Sequence, residues 1–109
     1  MAEAIKISQA AIAVADTEQS LYVVPGSTTT VVSSIVICNR GSQKATYRWA
    51  IVPGGGAAGA ANWQEYDAEV DGNVSEFRTL GCTLPAAAEV RIEADTTDIS
   101  FSLYYVEVS

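Results

Sequence analysis

The chain has 109 residues, 49% of them hydrophobic and 17% charged, with 13 acidic side chains, six basic ones, no histidine and a net charge of −7. That length makes one domain with room for a two-layer core, and the composition excludes a disordered chain. The basic residues are scattered with no basic run, so a phosphate-backbone footprint is missing and no nucleic-acid partner is expected. The acidic surface repels anionic membranes, and no apolar run approaches a bilayer span, so no membrane partner is expected either.

Residues 1–19 differ from the rest. Ile5 and Ile7 flank Lys6, and Ile12 and Val14 alternate with Ala11, Ala13 and Ala15. The segment reads either as an edge strand or as an extended arm that docks on a neighbouring subunit. No basic stretch leads into an apolar run with a cleavage site, so synthesis in a cytoplasm without a signal peptide is expected. Residues 16–19 read as a polar turn, and residues 20–109 as a β-sandwich.

Residues 21–24 form a strand that stops at Pro25-Gly26, where Pro fixes φ and Gly is expected to supply a positive φ. Residues 29–38 are all β-branched, Ser or Cys, which a helix disfavours and a strand accepts. After a turn at residues 39–42, residues 45–52 alternate, with Tyr47, Trp49 and Ile51 on one face and Thr46, Arg48 and Ala50 on the other. The Gly/Ala-rich stretch 53–61 reads as a long flexible loop. No Lys-Ser/Thr follows it, so it is not a phosphate loop.

Residues 63–70 form the next strand and Asp71-Gly72-Asn73 a tight turn. Residues 74–83 follow, with Gly81 as a bulge or close-approach point. Pro85 begins a corner. Residues 89–95 alternate, with Val90, Ile92 and Ala94 inward and Glu89, Arg91, Glu93 and Asp95 outward. In the last strand Ile99, Phe101, Leu103 and Tyr105 face inward. Seven such strands, or eight with the N-terminal segment, make an all-β single antiparallel sandwich of immunoglobulin-like or jelly-roll type.

Chemistry is sparse. Without histidine, Ser-His and Cys-His nucleophiles are excluded in their usual form. Glu65, Asp67, Glu69, Glu76, Glu89 and Glu93 could supply a carboxylate pair, but an acidic chain shows such pairs by chance. Asp67, Glu69 and Asp71, followed by Gly72, resemble the opening of a calcium loop, yet Arg78 stands where the closing Glu belongs. Cys38 and Cys82 read as buried free thiols in strands, with a disulfide as the minority reading. No cofactor is implied. Trp49, Trp63, Tyr66, Tyr104 and Tyr105 could line a carbohydrate groove, although sandwich aromatics more often belong to cores.

The run LYVVPGSTTTVVSSIVICNRGSQKATYRWAIVPGG, with Leu21, Tyr22, Val24 and Pro25, then Cys38-Asn39-Arg40, then Ala45-Thr46-Tyr47-Arg48, resembles a small β-domain of virion structural proteins in tailed bacteriophages, cyanophages included. Val90-x-Ile92-x-Ala94, Ile99-x-Phe101 and the closing Val-Glu-Val-Ser extend the similarity to residues 20–109. The resemblance implies a non-enzymatic part of the virion, foremost a decoration (cement) protein on the outer head, or else a tail, neck or fibre accessory. It also implies the major capsid protein or tail components as partners, and a homo-oligomer such as a trimer. A free carbohydrate- or cell-surface-binding module is the third reading. Ala4, Ile5, Ile7, Ile12 and Val14 are the expected interface, and Gly55 and Gly56 a secondary contact.

Overall fold

The computed structural model describes residues 3–109. It contains eight strands: β1 (Glu3–Ala11), β2 (Gln19–Val23), β3 (Thr29–Asn39), β4 (Ala45–Val52), β5 (Trp63–Val70), β6 (Ser75–Leu84), β7 (Glu89–Ala94) and β8 (Ile99–Val108). They form two four-stranded sheets, β1-β8-β3-β6 and β2-β7-β4-β5, with every paired neighbour antiparallel. This is the strand order of a jelly roll, two interleaved Greek keys closed face to face. No helix long and apolar enough to cross a membrane occurs among the described residues.

The alternating strands bury one face each. Val32, Ile35 and Ile37 of β3 and Ile99, Phe101 and Leu103 of β8 meet Tyr47, Trp49, Val90 and Ile92 of the other sheet. Tyr47 and Phe101 pack edge to face across the layers, with ring centroids 6.0 Å apart. Each open flank of the sandwich is closed by a polar latch. On the β5–β6 side, Glu65 accepts from the Tyr47 hydroxyl, the Trp49 indole and Arg78, all within 3.0 Å. On the β1–β2 side, Tyr22 donates to Glu107 at 2.6 Å, and Lys6 pairs with the same carboxylate at 2.8 Å. The Lys6 hydrogen bond, then that of Tyr22, holds the Glu107 carboxyl below its usual range. Burial first, and then Glu107, pushes the Tyr22 hydroxyl strongly upward.

β1 is an edge strand of its own chain, paired with β8 from Glu3↔Val108 to Ala11↔Ser100. Ile12 corrects an expectation: it is 2% exposed and sits in the core, so it is no interface residue. The chain turns inward just after β1, where the Ile12 amide bonds the Ile99 carbonyl at 2.9 Å. The Pro25-Gly26 turn also departs from expectation, because Ser27, at φ 56°, and not Gly26 takes the left-handed position.

The Gly/Ala-rich loop is tied down, against the expectation of flexibility. The Gly56 amide donates to Glu89 and the Ala58 amide to Glu18, both at 2.8 Å, and Arg91 bridges the two carboxylates. The loop therefore roofs the outward side of β4 and β7. Ala50, Val52 and Glu89 are buried there, although alternation alone would leave them in water. Burial would raise the Glu89 carboxyl, but the bonds from Arg91 and Gly56 outweigh it and hold the group below its usual range.

Asn39 is the buried polar centre of the opposite end. Its amide donates to the Gln43 and Val70 carbonyls and accepts from the Gly41 amide. The turn after β5 can approach because residue 72 is glycine: a Cβ there would lie 2.4 Å from the Ser42 carbonyl. Gly81 has open space around it, so it is no close-approach point, and it stands beside the register shift between β3 and β6.

Candidate functional site

The outward faces of the two sheets have opposite chemistry. Registers in the β1-β8-β3-β6 sheet set four rows of side chains across it: Ile5–Val106–Val31–Thr83, Ile7–Tyr104–Ser34–Thr79, Gln9–Ser102–Val36–Phe77, and Ala11–Ser100–Cys38–Ser75. No row contains an acidic or basic residue; Glu3 stands at the corner beyond the first. Ile5 is 88% exposed, Phe77 63% and Ile7 55%. In a chain with 19 charged residues among 109, an uncharged face of this extent is an arrangement rather than an average. Strands of about ten residues at about 3.3 Å, four across at about 4.8 Å, give it an area of about 600 Å².

The charged groups of the β2-β7-β4-β5 sheet face the other way. Arg48 of β4 holds Asp67 of β5 through two hydrogen bonds, of 2.6 and 3.2 Å, and lies 3.7 Å from Glu93 of β7. The Arg48 bond lowers the Asp67 carboxyl and, by the same contact, raises the guanidinium. Lys44 faces Glu69 at 3.7 Å. Asp67 and Glu69 are therefore each matched to a cation, and Asp71 lies past the end of β5. The calcium-loop candidates do not converge, and among the described residues no three acidic or cysteine side chains gather where they could hold a metal ion. The carboxylates considered for catalysis are likewise matched to cations, Glu65 and Glu76 sharing Arg78, Asp67 and Glu93 sharing Arg48, and Glu89 on Arg91.

The aromatic candidates separate. Trp49 and Tyr105 belong to the core. Tyr104 sits in the uncharged face. Trp63 and Tyr66 stand together on the opposite sheet, with rings 5.7 Å apart and nearly perpendicular. The Arg48 guanidinium lies 3.8 Å above the Tyr66 ring.

Of the interface candidates, Ile5 and Ile7 lie in the uncharged face. Ala4 is exposed on the same strand, pointing the other way. Val14 is exposed in the β1–β2 connection, and Gly55 and Gly56 belong to the tethered loop on the far sheet. Phe77 and Val31 were missed, and Tyr104 was named only as a carbohydrate-groove aromatic. Cys38 and Cys82 are free and half-buried, not fully buried. They point to opposite sides of one sheet, Cys38 in the uncharged face and Cys82 toward the core.

Comparison with protein-family models, with curated proteins and with solved structures finds no match for this chain.

Proposed function

We propose that the chain is a non-enzymatic structural subunit of a tailed-bacteriophage particle, and within that class a decoration (cement) protein on the outer head surface. The observation that carries the reading is the uncharged outward face of the β1-β8-β3-β6 sheet, with Ile5, Ile7 and Phe77 exposed on it. Such a face suits permanent contact with a protein lattice: it avoids desolvating charge, and its area is near the about 800 Å² per partner of an ordinary stable interface. The partner the proposal commits to is the major capsid protein. The acidic opposite face then points to solvent and keeps decorated heads from sticking to one another. The sequence resemblance supplies the phage context. Jelly rolls recur among viral capsid domains, a fold-level analogy that agrees with it. Assembly as a symmetric ring, such as a trimer at a lattice vertex, fits the same placement.

The test is binding of purified protein to undecorated heads, with immunogold labelling of whole particles. The parent should label heads, and the exposed-site variant Phe77→Asp should bind at least about tenfold more weakly, the loss expected for a charge buried in an apolar contact. Labelling confined to tails, or undiminished binding by Phe77→Asp, refutes the cement assignment.

A further inference from the structure

β5 is the free edge of its sheet, and its register is broken in an informative place. Tyr47 pairs with Ala68 and Trp49 with Glu65, so Tyr66 and Asp67 together face the single residue Arg48. This is a β-bulge, a device that re-aims side chains. Asp67 takes φ 55° in it, a conformation that non-glycine residues adopt at a cost. The paired bonds from Arg48 hold it there. The outcome is a Tyr66 ring clamped on one side by the guanidinium, yet 58% exposed, with Trp63 set edge-on to it. Trp63, Tyr66 and Ala60 line an open cleft of about 400 Å³, which lies within the about 300–1,000 Å³ of small-ligand sites.

Nothing in the core uses the Tyr66 ring. The strain and the clamp present an aromatic corner to solvent. The surrounding charge selects what it can take. Arg48 is already matched by Asp67 and Glu93, so among the described residues no free cation remains at this corner for a phosphate or carboxylate. The acidic chain repels anions generally. A ligand cation would compete with Arg48 for the same ring. A neutral ring with an apolar C–H face satisfies all three conditions. We propose that Trp63 and Tyr66 form a binding site for a neutral saccharide, with a pyranose stacked in the corner and Arg48 and Asp67 as positioning residues. The site lies on the sheet opposite the proposed docking face, so it stays open to solvent on a decorated particle and is independent of that assignment.

The test is a nuclear magnetic resonance titration of the full chain with cellohexaose, maltohexaose, chitohexaose and mannohexaose, each to about 10 mM, well above the dissociation constant of about 1 mM that a weak single-site contact gives. At least one sugar should shift the Trp63 indole and Tyr66 signals. Tyr66→Ala should weaken that binding about tenfold or more with an unchanged melting temperature, and Tyr66→Phe should retain it. Three outcomes overturn the proposal: silence from all four sugars, binding that persists in Tyr66→Ala, or a proline-rich peptide shifting the corner while every sugar fails to.

Discussion

Ile12 and Ile5 are the same residue type seven positions apart, and the structure assigns them opposite roles. Ile12→Ala removes a side chain that is 2% exposed, for which truncation to Ala costs about 2–5 kcal/mol, part transfer and part cavity. Ile12 sits in a connection that can partly relax into the gap, which places the loss near the middle, at about 3 kcal/mol. Unfolding entropy of about 2.1 cal/mol/K per residue gives about 0.23 kcal/mol/K for a chain of this size, so Tm should fall by about 13 °C. Ile5→Ala, at a site 88% exposed, should move Tm by no more than about 2 °C, the effect of a surface change within about 0.5 kcal/mol. Calorimetric melts of the two variants, each measured as the soluble protein, decide the matter. If Ile12→Ala melts with the parent, or Ile5→Ala melts as low as Ile12→Ala, the reasoning that splits this segment into surface strand and core plug is wrong. By the same logic, removing residues 1–15 takes away both the β8 partner and the plug, so it should destabilise the sandwich as well as weaken any docking.

Tyr47 should govern part of the alkaline limb of stability. Burial first, and the Glu65 charge second, push its hydroxyl up to about 12 from 10.0. The folded state thus prefers neutral Tyr47, and this contribution is complete below pH 10 and lost as pH rises toward 12. Tyr47→Phe should show a shallower fall of Tm across that window, and an unchanged slope would refute the assignment. Gly72→Ala drives a Cβ to 2.4 Å from the Ser42 carbonyl and should cost about 1–3 kcal/mol in urea unfolding; a neutral result would mean that the two turns can separate freely.

Strand identity was legible where alternation is clean. The segment 45–52 follows directly from its residue pattern, as does the inward set of β7 and β8. Four things were not legible, each for a stated reason. Alternation reports two sides of a strand but not what lies over the outer one, so Glu89 and Ala50 read as solvated until the tethered loop is seen above them. The jelly-roll order depends on pairings between residues far apart in the chain, which local pattern does not encode. The uncharged face was half visible, through Ile5 and Ile7. Its uncharged extent required knowing that the outward residues of four strands lie side by side. Ser100, Ser102, Ser75 and Thr79 are unremarkable singly and form one surface only once β8 is placed between β1 and β3. Trp63 and Tyr66 are among the aromatic candidates, but the bulge that turns them into a corner could not be seen, because an Asp within a strand pattern signals a left-handed conformation only weakly.

The placement of β8 has a kinetic consequence. It is the middle partner of both β1 and β3, so the sheet that holds the N-terminal strand cannot form until residues 99–108 are available. Contacts between residues nearly the full chain apart close large loops and make folding slow. Until then β1 and β3 both display open edges, and the apolar outward side chains of the uncharged face add to the exposed surface. Folding yield should therefore depend steeply on protein concentration, since a neighbouring molecule's β8 can fill the same vacant slot. The strand that completes the monomer is thus also the one through which two half-folded chains would become entangled.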